Sequence, residues 1–534
     1  MSSTTSSSNV VETTNQHNSF QTIDIELNNN SNNNNNNNYI PDADNDNNSL
    51  LPSSSNDLNN HQPNTILDLK AHNGIRGIAS IWVAIFHCMF YTTGFNISGN
   101  APMPIFFILS GFTLTVVYIK QARGQNHTGS NYVAFDNKNS NDSNNNNSTT
   151  SENDIVNNNN VENGNSSTNN NNNNTKNIIL INKINWFTFM KKRFARIGPL
   201  YLLTNFMMMF GYIIINNLNT GQWISYLIGS YLCIGSWSLD LGKGHGWFSK
   251  PVWLFNPVAW TVSSLFFCYI LFPYLLTCFA NNTMFKNRRV YIINCFSHGW
   301  TFCYVFLIIF GHFGFAYFTP WIRILQFMCG INIGLLCVHD DANGSSASAH
   351  EYLRNYKRPN LYALYGLAIY ILISAILSVV KGNFLGIIFN SLGSEVYTQY
   401  IIIDYIIYFA IVKNNNNNNN DHHQEDMMTD NNNNQNNQLI SNHEKVMIKL
   451  KEFLSSSRIQ FFGKISLALY LIHFLLLGIV LRVFFQLDRP FEPPAKGNFL
   501  HLIGSILIVL PGSICLGWVL TTYVEEPARK WLRK

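Results

Sequence analysis

Long apolar runs, separated by short clusters of basic residues, make up most of the chain. A helix needs about 20 apolar residues to cross the hydrocarbon core of a bilayer. Ten runs come close to this length or reach it, and they predict an all-α integral membrane protein with about ten transmembrane helices. The predicted spans lie at about 75–95, 102–120, 195–217, 257–280, 290–311, 319–338, 360–380, 398–412, 463–485 and 499–524.

An eleventh apolar stretch, Trp223–Trp237, is shorter and ambiguous. The basic clusters decide its topology, because cytoplasmic loops of membrane proteins are enriched in Lys and Arg. An even number of spans must separate any two cytoplasmic clusters, yet three apolar stretches lie between Arg196 and Lys286. We therefore interpret Trp223–Trp237 as re-entrant or as lying at the outer surface. Ten spans then leave both termini in the cytoplasm.

Three segments, 1–70, 121–177 and 413–443, are rich in Asn and polar residues. They contain too few apolar residues to offset the entropy of the chain, so we predict that they are disordered. The second and third interrupt a single membrane domain, 71–534, from its cytoplasmic side. The first segment lacks the apolar core of a signal peptide, so we expect the first span to direct insertion into an endomembrane or the plasma membrane.

Composition narrows the function classes further. Charged residues make up 12% of the chain, whereas globular proteins contain about 25%, which excludes a soluble enzyme with a single core. The net charge of +5 is spread over clusters beside apolar runs, without the basic, aromatic-rich face that nucleic-acid binding requires. None of the nine cysteines forms a C-x-x-C pair, so neither a metal site nor a disulfide framework is expected.

The first predicted span carries two ionisable residues. Arg76 stands at its cytoplasmic end and His87 follows eleven residues later, which places the histidine about 16 Å further along a helix. Ionisable residues at membrane depth are costly and mark functional sites by default. A hydrogen-bonded histidine in a packed core is the alternative interpretation of His87.

Seven short motifs follow one another along the chain. The first three are Arg76-Gly77 with His87, Phe106-Phe107-x-x-Ser110-Gly111-Phe112, and Arg193-x-x-Arg196-x-x-Pro199-x-Tyr201. The others are Trp260-Thr261, the span from Arg323 to Gly330 and Gly334, Gly463-x-x-Ser466 with Tyr470 and His473, and Glu525-Glu526-Pro527-x-Arg529. In this order they resemble the acyltransferase 3 family, multi-span acyltransferases whose bacterial members O-acetylate cell-surface sugars.

The resemblance implies a transferase of acyl groups, most simply acetyl, from cytosolic acyl-CoA to a hydroxyl of a lumenal or extracellular carbohydrate or lipid acceptor. It implies that His87 acts as general base or transient acyl carrier. Arg193 and Arg196 lie three residues apart on one helical face, a spacing that suits the phosphates of coenzyme A. Plain cytoplasmic anchoring is the alternative for this pair. Arg76 would either hold the donor phosphates or cap the mouth of its helix.

The remaining candidates have structural alternatives of equal or greater weight. Ser110 belongs to a Ser-Gly pair typical of helix packing. Tyr470 and His473 would line the cavity that contains His87, with a core histidine as the alternative for His473. Glu525 and Glu526 are predicted to form structural ion pairs at the inner surface.

The chain departs from the family at one position. Family members usually carry a glutamate five residues after the tryptophan that corresponds to Trp260, and this chain has Leu265 there. A carboxylate that would orient a histidine or accept a proton is therefore missing. This departure keeps a second function class open, a non-catalytic membrane protein that moves small lipophilic molecules or acts as a scaffold.

Overall fold

The computed structural model describes residues 67, 69–127, 184–215, 220–237, 254–343, 352, 361–378, 384–411, 434–487 and 497–533. Over these residues the chain is mostly helical and contains no strand. The helices are α1 (Lys70–Thr93), α2 (Met103–His127), α3 (Trp186–Ile215), α4 (Thr220–Tyr231), α5 (Trp260–Asn281), α6 (Thr283–Asn287), α7 (Arg289–Ile309), α8 (Phe313–Phe318), α9 (Pro320–Asn343), α10 (Leu361–Ser378), α11 (Phe384–Ile411), α12 (Asn434–Ser455), α13 (Ser457–Ile479), α14 (Phe499–Leu520) and α15 (Glu526–Arg533). Short π-helical turns extend α13 and α14 at Val480–Phe484 and Thr521–Glu525.

Seven helical segments in the described parts are long and apolar enough to cross a membrane. Each coincides with a span that the apolar runs predict. They are Lys70–Thr93, Met103–Lys120, Pro257–Asn281, Arg289–Ile309, Phe313–Val338, Ser457–Phe484 and Phe499–Leu532. The other three predicted spans correspond to α3, α10 and α11, which are helical and do not belong to these seven.

Two helices differ most in their first residue from the predicted spans. Helix α3 begins at Trp186 rather than near 195, because basic residues that end an apolar run do not end a helix. Helix α11 begins at Phe384 rather than near 398, and its first half contains the buried polar residues Ser394 and Glu395. Apolar runs locate the hydrocarbon layer, whereas helices continue beyond it and accept polar residues that pack against neighbouring helices.

The stretch predicted to be re-entrant overlaps α4, which has 12 residues and begins three residues earlier, at Thr220. Twelve residues rise about 18 Å in an α-helix, which is less than the roughly 30 Å thickness of the hydrocarbon core. Most of the three Asn-rich segments lies outside the described residues. The ends that are described include Lys70, the first residue of α1, and the ranges 121–127 and 434–443, which belong to α2 and α12. The prediction of disorder concerns mainly residues outside the described ranges.

Helices α1 and α13 run parallel and in register. A Cβ atom at Gly77 would lie 2.6 Å from the backbone nitrogen of Gly463, so the two backbones touch where both residues are glycine. Ten residues further along each helix, Nδ1 of His87 lies 2.9 Å from Nε2 of His473. The glycine crossing therefore sets the register that brings together two histidines 386 residues apart in the sequence.

Helices α2 and α9 form a second close pair. A Cβ atom at Gly111 would lie 2.2 Å from the carbonyl oxygen of Phe327, and one at Gly330 would lie 2.1 Å from that of Ile108. Small residues let membrane helices approach this closely. Gly111 therefore has the packing role that its Ser-Gly motif suggests, and the adjacent Ser110 is directed toward the interior cavity described next.

Candidate active site

A cavity of about 110 Å³ lies among helices α1, α2, α3, α5 and α13 and the end of α14. Its charged lining residues are four cations and one carboxylate: Arg76, Arg193, Arg196, Lys464 and Glu525. We call it the basic cavity. The three arginines that the sequence singled out come from α1 and α3, two helices far apart in the sequence, and the fold brings them to the lining of one cavity.

The arginines of the basic cavity are only partly satisfied by the protein. Arg76 donates from Nη2 to Oδ1 of Asn73 at 2.8 Å, and Asn73 is held in turn by Gln460. Nε of Arg76 and Nε of Arg193 are buried and have no hydrogen-bond partner among the described residues. Buried donors without partners are costly, so this wall is suited to a ligand that brings negatively charged oxygens.

The two adjacent glutamates near the end of the chain have different environments. Glu526 forms the predicted ion pair, with Lys464 at 2.8 Å, and both side chains are partly exposed. Glu525 is 8% exposed and lines the basic cavity instead. Its Oε2 has no hydrogen-bond partner in the described parts of the chain, where it forms no ion pair. The prediction of a structural ion pair was therefore wrong for Glu525.

Hydroxyl groups supply most of the remaining polar lining of the basic cavity: Ser80, Ser110, Thr113, Thr261, Tyr269, Ser466 and Tyr470. Leu265 also lines it, so this position faces the arginines. The neighbouring serines take no part. Ser263 and Ser264 both contact the Ser236 hydroxyl at 2.9 Å, and Ser264 donates to the carbonyl of Phe318 at 2.8 Å. Glu525 is consequently the carboxylate of this cavity.

A second cavity, of about 40 Å³, surrounds His87. Eight of its fourteen lining residues have six-membered or indole aromatic rings: Phe86, Phe90, Tyr91, Trp260, Tyr317, Phe318, Tyr470 and Phe474. We call it the aromatic cavity. Among the described residues, its lining contains no Asp, Glu, Lys or Arg. His87 is the lining residue with a basic ring nitrogen that could accept a proton from a reacting group.

His473 lies behind His87 and lines neither cavity, unlike the prediction that placed it in the lining. Its Nδ1 lies 3.3 Å from the Leu469 carbonyl, which can only accept a hydrogen bond, so Nδ1 is the donor. In a neutral imidazole the other nitrogen then accepts, and Nε2 of His473 accepts from Nδ1 of His87 at 2.9 Å. This arrangement leaves the lone pair on Nε2 of His87, the state required of a general base.

Tyr470 lines both cavities, and no other described residue does. It lies one helical turn before His473 on α13, with their ring centroids 5.9 Å apart. On its other side it packs against Phe106, whose centroid lies at 5.5 Å. The basic cavity and the aromatic cavity are therefore adjacent, with one tyrosine at their boundary.

A third group of charges lines neither cavity, although it packs against two rings of the aromatic cavity, Trp260 and Tyr317. Arg323 on α9 forms an ion pair with Glu395 on α11, and both side chains are fully buried. Nε of Arg323 also donates to the Tyr317 carbonyl at 2.9 Å, and Nη1 donates to Gln326 at 3.1 Å. Five aromatic rings lie 5.1–5.8 Å from its guanidinium carbon: Phe107, Trp260, Trp300, Tyr304 and Tyr317. We call Arg323 and Glu395 the sealed pair.

The structure thus brings six of the seven candidate residues to the two cavities: His87, Arg76, Arg193, Arg196, Ser110 and Tyr470. Sequence reasoning missed Glu395 and the position of Glu525. A carboxylate in an otherwise apolar helix is itself a functional signal, and that rule would have marked Glu395.

The chain matches no protein-family model, and it has no significant match to a curated protein or to a solved structure. The resemblance to acyltransferase 3 proteins therefore stays an inference from motifs.

Proposed function

We propose that the protein is a membrane-embedded acyltransferase that moves an acyl group, most simply acetyl, from cytosolic acyl-CoA to a hydroxyl group of a carbohydrate or lipid acceptor. The observation that carries this proposal is the adjacency of two unlike cavities. One offers several cations for a polyanionic ligand, and the other offers a histidine with a free nitrogen in a nearly apolar setting.

The basic cavity supports the donor side. Coenzyme A carries a diphosphate and a further phosphate, and arginine binds phosphate oxygens through paired N–H groups. Four cations against one carboxylate leave the lining with an excess of positive charge. Arg76 and His87 lie on the same helix, about 16 Å apart along its axis, a separation suited to the extended pantetheine arm between the phosphates and the thioester.

The aromatic cavity supports the chemical step. His87 accepts the proton of the acceptor hydroxyl, whose oxygen forms the new C–O bond as the C–S bond of the thioester breaks. The same imidazole returns the proton to the thiolate of coenzyme A, so the step consumes no other reactant. His473 holds His87 in the tautomer that leaves Nε2 unprotonated.

We further propose ten spans with both termini in the cytoplasm, in an endomembrane or the plasma membrane. The seven long apolar helices support a multi-span membrane protein, and the basic clusters support the orientation. In this arrangement the basic cavity faces the cytoplasm, because Arg193 and Arg196 lie near the basic start of α3. Labelling of a tag near residue 285 from the outside would contradict the ten-span topology.

The test measures binding of radiolabelled acetyl-CoA and transfer to mixed carbohydrate and lipid acceptors by the same purified proteins in nanodiscs. We expect His87→Gln to bind the donor normally and to lose about 10²–10⁴-fold in transfer, the usual contribution of a positioned base. The double variant Arg193→Ala, Arg196→Ala should lose donor binding first.

Each variant has a matched control. His501→Gln alters a histidine that stacks on Phe485 outside both cavities. The pair Lys191→Ala, Lys192→Ala removes two exposed cations from the same helix without touching the basic cavity. Equal loss of binding in the lysine pair would favour plain membrane anchoring. Near-normal transfer by His87→Gln would exclude both the base and the acyl-carrier roles, and a wild-type protein without transfer would favour the non-catalytic class.

A further inference from the structure

The boundary between the two cavities lies on the path of the proposed donor. A thioester whose coenzyme A phosphates lie in the basic cavity and whose carbonyl carbon is attacked beside His87 must pass this boundary. Tyr470 is the residue that the two linings share. Its side chain is 5% exposed, so solvent is largely excluded from the place where the reacting carbonyl would lie.

The hydroxyl of Tyr470 is in a suitable state to donate. It lies beside Thr261, which also lines the basic cavity. The Thr261 hydroxyl donates its one proton to the Val258 carbonyl at 3.3 Å, so toward Tyr470 it can only accept. The Tyr470 hydroxyl therefore keeps its own proton for donation to an acceptor oxygen, and a carbonyl oxygen held at the boundary is such an acceptor.

The position of this hydroxyl is fixed by packing. The Tyr470 ring packs against Phe106 on α2 and against His473 on its own helix, with centroids 5.5 and 5.9 Å away. His473 is in turn hydrogen-bonded to His87. One rigid helix, α13, therefore positions both the histidine that orients the base and a hydroxyl at the same boundary.

We propose that Tyr470 is a catalytic residue whose hydroxyl donates to the thioester carbonyl oxygen as that oxygen becomes negatively charged. This inference rests on the proposed acyl transfer. Attack by the acceptor oxygen moves the electron pair of the C=O bond onto the carbonyl oxygen, and Tyr470 stabilises the charge without giving up its proton. Collapse of the tetrahedral intermediate restores the C=O bond and expels the thiolate, which takes the acceptor proton from His87.

The experiment compares Tyr470→Phe with wild type in nanodiscs, measuring acetyl-CoA affinity, KM, kcat and thermal unfolding. Removal of one oxyanion donor lowers kcat by about 10²–10³-fold, and we expect this loss with acetyl-CoA affinity and KM within about twofold of wild type. Tyr405→Phe is the control, because Tyr405 is 4% exposed on α11 and lines neither cavity. We expect Tyr405→Phe to transfer at the wild-type rate.

The outcomes separate this inference from the proposed function. If wild type transfers acetyl in a His87-dependent manner and Tyr470→Phe keeps more than half of kcat, only the role of Tyr470 is overturned. If Tyr470→Phe loses donor affinity and kcat together, the hydroxyl serves packing or donor binding, and the oxyanion role is again overturned. A wild-type protein without transfer would overturn both.

Discussion

The basic cavity and the sealed pair both contain buried arginine, yet the protein treats the charge in opposite ways. Arg323 meets one carboxylate, one backbone carbonyl and five aromatic rings, and it is fully buried. Arg76, Arg193 and Arg196 share a single carboxylate, Glu525, across a space of about 110 Å³. Among the described residues, guanidinium nitrogens without a hydrogen-bond partner occur at both sites, on Arg323 as on Arg76 and Arg193.

The difference between the sites is therefore one of charge balance and access. A charge that is matched and enclosed holds helices together, and it gains nothing from a further ligand. A group of charges that is unmatched and borders a cavity is stable only with water or an anion beside it. We therefore assign a structural role to the arginine of α9 and propose a ligand-binding role for those of α1 and α3, and the local balance of charge distinguishes them.

The largest effect is expected from breaking the sealed pair. Glu395→Ala leaves Arg323 without its counter-charge in a fully buried site, which costs about 3–5 kcal/mol. We expect a correspondingly large fall in the thermal unfolding temperature in detergent micelles. The double variant Arg323→Met, Glu395→Leu should be much less destabilised, because replacement of both partners removes the unpaired charge. Equal losses in the single and double variants would show that packing around these side chains, rather than charge, determines stability here.

The contact between the two residues of the sealed pair could not be predicted from the sequence. Each of the ten predicted apolar runs overlaps a described helix, because hydropathy is a local property of the chain. The motifs found Arg193, Arg196 and His87 because each belongs to a short local pattern. Glu395 lies 72 residues from Arg323 in sequence, and its helix was predicted to begin after it. No local pattern reports such a partner, since the contact depends on how α9 and α11 pack.

Two positions in the basic cavity, Glu525 and Leu265, likewise have environments that the sequence did not predict. Glu525 and Glu526 are adjacent, and the sequence predicted a structural ion pair for both. Glu525 is the last residue of the π-helical turn Thr521–Glu525 and lines the basic cavity, whereas Glu526 pairs with Lys464. The sequence likewise identified Leu265 as a departure, but it did not show that this side chain faces the arginines. Orientation around a helix axis follows from tertiary packing, so the chemistry of both positions required the structure.

An added carboxylate should be tolerated at a position that lines the basic cavity and should destabilise the protein at a position packed in the apolar core. Leu265→Glu places a charge in the basic cavity, where Arg193 and Arg196 can offset it, so we expect stable insertion and unchanged or increased acyl transfer. Phe266→Glu is the control, because the next residue packs against the core and does not line this cavity. An unpaired carboxylate there costs several kcal/mol, and this variant should unfold at a clearly lower temperature.

The measurement is thermal unfolding in micelles, together with acetyl transfer for the variants that fold. If Leu265→Glu is as unstable as Phe266→Glu, the arginines do not reach position 265 and the basic cavity is packed as an apolar core. That outcome would favour the non-catalytic class of function.

The smallest effects are expected at the adjacent glutamates, where the comparison is most direct. Glu526 forms a partly exposed ion pair with Lys464, and such pairs contribute about 0–1 kcal/mol. Glu526→Gln should therefore leave stability and acyl-CoA affinity near their wild-type values.

Glu525→Gln removes the negative charge that opposes an anion in the basic cavity. Repulsion between charges at this range is of the order of 1 kcal/mol, so acyl-CoA should bind several-fold more tightly. Isothermal titration of both variants with acetyl-CoA checks the difference, because an electrostatic cavity responds to Glu525 alone. Weaker binding by Glu525→Gln would mean that this carboxylate holds the arginines in place, and the basic cavity would then resemble the sealed pair rather than contrast with it.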